Sequence, residues 1–261
     1  MSNSNDESNL PIIAPSRTIG LDAPLRWLKL GWQDFRSIPR LSLSYGFVML
    51  LIALLVAWVA WQAHSLVLAI ALTGGFFFIG PALAIGLYSM SRQLESGITP
   101  TLMRGVREGR KNMSNELVLS LMFLIVFLLW ARAASMVHIF FPSFGNAMAS
   151  DLSLFLGIGS AVGAIFAGVV FCVGAFSIPM LLDRKVDAVT AVLSSISAVL
   201  RNKVAMAVWG LVIVASVLLG IALGFIGLAV TLPVIGHATW HAYQEVIDAS
   251  AWERNPGVGE K

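Results

Sequence analysis

Charge is what this chain has least of. Of its 261 residues only 12% are charged, against 57% hydrophobic, and the mean hydropathy is +0.83. A soluble domain carries about twice that charge, so a water-soluble globule is excluded. Cysteine is almost absent too. Cys172 alone cannot make an internal disulfide, a thiolate zinc site or an iron–sulfur cluster. Lying in an apolar run, it is expected to be a small packing residue. The opening stretch MSNSNDESNLPIIAPSRTIGLDAP has neither a basic start nor an apolar core, so no cleaved signal peptide is expected. Phosphate-binding glycine loops, nucleophile elbows and HExxH pairs are missing as well.

What is present is apolar length. Five blocks stand out: Leu41–Gln62, Leu66–Met90, Leu117–Phe141, Leu152–Leu182 and Val204–Ile235. Runs of about 18 or more apolar residues read as membrane-spanning helices, because lipid leaves no other partner for the backbone. The fifth block is too long for one span. Gly220, Gly224 and Gly227 invite a tight reversal near its middle, which divides it into 204–221 and 223–243. Basic residues cluster before the first span (Arg17, Arg26, Lys29, Arg36, Arg40), between the second and third (Arg92 to Lys111) and between the fourth and fifth (Arg184 to Lys203). The alternate loops, around His64 and from Pro142 to Asp151, carry none. By the positive-inside rule both termini are cytoplasmic and the basic pI, near 9.3, is topological rather than a sign of nucleic acid. The expectation is an all-α membrane protein with six transmembrane helices: a tail at 1–24 and another at 249–261, both disordered, around one domain at 25–248.

Periodicity adds a threefold repeat. PLRWLKLGWQDFRSIPR places Leu25, Leu28, Trp32 and Phe35 on one helical face, away from Arg26, Lys29 and Arg36. AVTAVLSSISAVLRNK does the same with Val189, Val192, Ile196 and Leu200, and TLMRGVREGRKNM is a weaker copy with Leu102, Val106 and Met113. Each is a candidate amphipathic surface helix, and each is followed by two spans. The second span of each pair ends near a proline: Pro81, Pro179 or Pro233. Four residues beyond them stand Ile85, Asp183 and His237, and eight beyond stand Ser89, Asp187 and His241.

That register points to a candidate metal site. Asp183 with Asp187 and His237 with His241 are i, i+4 pairs at cytoplasmic helix ends, and together they offer a divalent ion two carboxylates and two imidazoles. The competing reading makes Asp183 a helix cap and leaves the histidines at headgroup level beside Trp240 and Tyr243. His64 and His138 fall on the opposite side, so they cannot join the pair at one haem iron. Arg132 is the one basic residue inside a span. It is either a contact for an anionic substrate or a side chain snorkelling to the outer surface. Gly159–Gly163 and Gly220–Gly224 are helix-packing GxxxG pairs. Trp58 and Trp61 suit an outer aromatic belt and Trp240 an inner one.

Four segments taken in order, PLRWLKLGWQDFRSIPRLSLSYG, GPALAIGLYSMSRQLESG, IPMLLDRKVDAVTAVLSSISAVLRNK and LPVIGHATWHAY, resemble a bacterial family of predicted integral membrane proteins of unknown function. The resemblance runs from Ile12 to Val246. It implies a multi-span protein of the bacterial inner membrane, and the label cytochrome c oxidase subunit I carried by some members implies an accessory role near respiratory complexes.

The expected function is a non-catalytic scaffold, assembly factor or accessory subunit. A small-solute or ion transporter using Arg132 is the alternative, and a metal- or haem-dependent enzyme built on His237 and His241 the third reading. The expected partners are the lipid bilayer and other membrane proteins such as respiratory complexes, with no nucleic acid. The sequence names no cofactor.

Overall fold

A computed structural model describes residues 10–62, 64, 68, 72, 74–76, 80, 83–104, 113–140 and 149–256. Among these the regular structure is helical: α1 (Ala23–Ser37), α2 (Pro39–Gln62), α3 (Ile85–Glu95), α4 (Met113–Phe140), α5 (Ala149–Asp183), α6 (Ala188–Arg201), α7 (Lys203–Ala222) and α8 (Leu228–Val246). Most of the second apolar block, most of the surface segment at 101–113 and the loop at 142–148 lie outside the described residues.

Four helices are long and apolar enough to cross a membrane: α2, the Ser114–Val137 part of α4, the Ser153–Asp183 part of α5, and α7. α2, α4 and α7 bury little of their surface within the chain, as expected of helices facing lipid. At 35 residues, α5 runs about 50 Å. That exceeds a hydrocarbon core of about 30 Å, so one end of α5 stands outside it.

The long final block breaks where its glycines allow. α7 ends at Ala222 and α8 starts at Leu228. Between them Gly224 and Phe225 both take positive φ, +68° and +67°. Only glycine adopts that conformation without a steric cost, so the expected reversal sits at Gly224.

α8 is the centre of the fold. It packs against α1, α2, α3, α5 and α7, and α3, α5 and α8 also touch one another pairwise. Every residue from Pro233 to Trp240 is buried. The inner aromatic belt expected at Trp240 is therefore corrected: its ring is enclosed by protein, with Nε1–H reaching Glu95 Oε2 at 3.2 Å.

α1 also differs from expectation. Its buried face is Ala23, Pro24, Trp27, Gly31 and Phe35, while Leu25 and Trp32 stay exposed. The reason lies at Gly31, where α1 crosses α8 so closely that an added Cβ would stand 2.6 Å from Ala238 N and 2.8 Å from Ala238 Cβ. α1 stops at Ile38, because a residue before proline is pushed out of the helical region, and Pro39 opens α2. α6 is capped at its start by Asp187, whose carboxylate accepts from Val189 N–H at 2.9 Å and Thr190 N–H at 3.0 Å.

Parts of both expected tails are held in place. Arg17 N–H donates to Val246 O at 2.8 Å, Asp248 N–H to Pro15 O at 2.8 Å and Asn255 N–H to Asp183 O at 2.8 Å. Trp252 is buried. These segments lie across the C-terminal ends of α5 and α8.

Candidate functional site

The second half of α8 presents polar side chains to three other helices. Asp34 comes from α1, Ser42 from the first turn of α2, Ser91 from α3, and His237 and His241 from α8. The His237 ring is fully buried. Ser42 Oγ lies 3.0 Å from its Nε2 and Ser91 Oγ 2.7 Å from its Nδ1. Ser91 Oγ is also 2.6 Å from Asp34 Oδ2, and His241 Nε2 is 2.9 Å from the same oxygen.

Counting hydrogens orients this chain. An ionised Asp34 only accepts, so the single Ser91 hydroxyl hydrogen goes to it. Ser91 must then accept from His237, which carries its proton on Nδ1, and the bare Nε2 accepts from the Ser42 hydroxyl. His241 donates from Nε2. Each named donor has an acceptor, and the Asp34 carboxylate receives two of them. The side chains of Asp34 and His241 are 15% and 22% exposed, so the open edge of the junction lies between α1 and α8.

The sequence hydroxyl, imidazole, acid invites comparison with a hydrolytic triad. Here a second serine intervenes before the acid, and Ser42 is completely buried, which closes it to a substrate. Chemically, the junction is a clasp that fixes α1, α2 and α3 to α8.

A second cluster forms at the end of α5. The buried Asp183 receives Arg184 Nε–H at 2.8 Å and Tyr243 OH at 2.9 Å on Oδ2. Arg92 Nε and Arg254 Nε stand 3.8 and 3.7 Å from Oδ1. Arg92 also donates to the carbonyls of Leu182, at 3.0 Å, and of Asn255. The Asn255 amide donates to the carbonyls of Leu181 and Leu182, which the α5 terminus leaves open, and to that of Arg184 just beyond it. A buried carboxylate is tolerable only when paired, and this one holds the chain's last described segment onto α5.

The structure thus separates the residues of the expected metal site by their partners. His237 and His241 join Asp34 through the junction. Asp183 faces arginines, and Asp187 caps α6. Among the described residues no group of three or more histidine, cysteine, aspartate or glutamate side chains is placed to hold a metal ion. Arg132 lies on an exposed face of α4. His64 is exposed in the turn after α2, and the His138 side chain lies outside the described residues. Of the glycine pairs, Gly220 packs on Leu228 and Thr231 of α8, whereas a Cβ at Gly159 or Gly163 would meet nothing within 4 Å. Cys172 is half-buried, and its carbonyl accepts from Ser195 Oγ at 2.7 Å.

Sequence reasoning missed Asp34, Ser42, Ser91 and Arg92. Asp34 carried a signal, being an acid on a basic helix, three residues from Gly31 and so on the packing face. The two serines carried none.

No curated protein and no solved structure matches the chain. Residues 67–183 match the family described as "Predicted integral membrane protein (DUF2189)", and a helical chain with four apolar helices of spanning length fits that description.

Proposed function

We propose that this is a non-catalytic scaffold or accessory protein of the bacterial inner membrane, built as three repeats of surface helix plus two spans, with both termini cytoplasmic. The domain is 25–248, and the pinned parts of the tails belong to its cytoplasmic end. Support for the repeat comes from how the units pack. The surface helix of the first unit, α1, lies on the second span of the third unit, α8, and touches its first span, α7. The surface helix of the third unit, α6, lies on the second span of the second unit, α5, and touches its first span, α4. Each therefore grips the preceding unit in the same way, around second spans that meet at the centre.

The observation that carries the functional reading is the closure of the two polar clusters. Asp34, Ser42, Ser91, His237 and His241 bond to one another, Asp183 bonds to Arg184 and Tyr243 within ion-pair range of Arg92, and the outward faces of α2, α4 and α7 are mostly apolar, with Arg132 exposed on α4. Interior polar groups that satisfy one another hold a shape; those that handle a solute would be open to it. The test is paired. Purified protein in sealed vesicles should carry no solute flux, and a mild-detergent extract of the source membranes should hold it in an assembly with a fixed stoichiometry of a second membrane protein. Flux that disappears in Arg132→Ala would establish the transporter reading instead.

A further inference from the structure

α1 and α6 each carry two apolar faces, and only one is used inside the chain. The inward face of α1 is Ala23, Pro24, Trp27, Gly31 and Phe35, and that of α6 is largely small, with Ala188, Ala191, Ser195 and Ala198 beside Val192 and Val199. The outward strips are large. On α1, Leu25 is 63% and Trp32 44% exposed; on α6, Val189, Leu193 and Leu200 are exposed. The two helices sit at the same end of the molecule, because residues 14–19 lead into α1 along α6. Ala14 N–H donates to Ser194 Oγ at 2.8 Å, Ile19 N–H to Asn202 Oδ1 at 3.0 Å, and Asn202 Nδ2–H to Arg17 O at 3.0 Å.

The charges beside the strips are one-sided. Around α1 the acids already have partners: Asp22 pairs with Arg26, Glu245 with Arg26 and Trp27, and Asp34 with Ser91 and His241. Asp187 caps α6. Lys29, Arg36 and Arg40, and Arg201 and Lys203 beyond α6, are exposed. Among the described residues none of these five side chains has an ion-pair or hydrogen-bond partner. Contrary to the expectation that Lys29 and Arg36 lie away from that face, they follow Leu25 and Trp32 by four residues, so their stems can run along the strip while their heads reach phosphate.

We propose that α1 and α6 form a collar that binds anionic phospholipid, with the two strips in the headgroup–acyl boundary and Lys29, Arg36, Arg40, Arg201 and Lys203 on the lipid phosphates. An apolar strip with an unneutralised cationic fringe suits a charged lipid surface better than a soluble anion, which would gain nothing from Leu25 or Trp32. This rests on the six-span reading, which sets both helices on the cytoplasmic face.

The test uses the full chain in vesicles, comparing tryptophan quenching by phosphatidylglycerol and by phosphatidylcholine with brominated acyl chains. The Trp32 component is isolated by difference with Trp32→Phe. Brominated phosphatidylglycerol should quench Trp32 several-fold more than phosphatidylcholine at equal mole fraction. The combined Lys29→Gln, Arg36→Gln and Arg40→Gln variant should abolish the difference, and Lys29→Arg should retain it. Equal quenching by the two lipids, or a preference surviving in the triple variant, overturns the collar while leaving α1 in the membrane surface. Trp32 quenched by aqueous acrylamide and by neither lipid overturns the collar and the six-span reading together.

Discussion

Ser91→Ala removes the centre of the polar junction, and the hydrogen count predicts what the junction does next. Ser91 donates to the Asp34 carboxylate and accepts from His237 Nδ1. A bond to a charged group contributes about 1.5–3 kcal/mol and a neutral one about 1 kcal/mol, while a buried donor left bare costs about 1–3 kcal/mol. The His237 ring can escape that last cost. Moving its proton to Nε2 lets it donate to Ser42 Oγ, whose own hydrogen turns to the Ile38 carbonyl one turn back, already the acceptor of the Ser42 N–H. Ser91→Ala should therefore cost about 2–3 kcal/mol and switch His237 from the Nδ1–H to the Nε2–H tautomer. Ser42→Ala, which removes only a donor to Nε2, should cost about 1 kcal/mol and leave the tautomer unchanged. Nitrogen NMR of the histidine-labelled protein reads the tautomer, and reversible unfolding in mixed micelles reads the stability. An Nε2–H His237 in the wild type, or a Ser91→Ala variant as stable as Ser42→Ala, would refute the hydrogen-bond order.

Gly31→Ala would usually stabilise a helix by about 0.5–1 kcal/mol. Here its Cβ meets α8 backbone, and the sign should reverse to a loss of about 2 kcal/mol or more in the same unfolding measurement. Burial pushes the Asp187 carboxyl up, but hydrogen bonds from the Thr190 side chain and from the N–H groups of Thr190 and Val189 outweigh it and hold it below the usual aspartate range. A depressed pKa stabilises above the unfolded value and loses that contribution as pH falls through the folded one. Asp187→Ala should thus cost about 1 kcal/mol at pH 7, with the gap to wild type narrowing below about pH 4. Because Arg132 is exposed on α4, Arg132→Ala should shift stability by less than about 0.5 kcal/mol; a larger loss would mean an internal partner. Elemental analysis of purified wild type and of His237→Ala/His241→Ala should give the same metal content, and a stoichiometric ion lost in the double variant would establish a metal site that includes the two histidines.

The four apolar helices of spanning length and the Gly224 reversal were legible because each is local, whereas the faces expected on α1 and α6 were legible only in part, since Phe35 and Val192 turn inward. An apolar run, a φ that only glycine takes freely and a 3.6-residue period all show within one segment. The inward face of α1 was not legible, because Ala23 and Gly31 add little hydrophobic signal and matter only once another backbone comes close. The junction was invisible for a related reason: His237 lies 195 residues from Ser42 and 146 from Ser91, and His241 lies 207 from Asp34. Contacts that short between residues that distant leave no periodic trace. The sequence by itself determined that α8 would carry two histidines one turn apart. Only the packing of α1, α2 and α3 around α8 decided that one would be sealed between serines and the other paired with an aspartate, since hydrogen-bond partners are set by which helix ends meet in space.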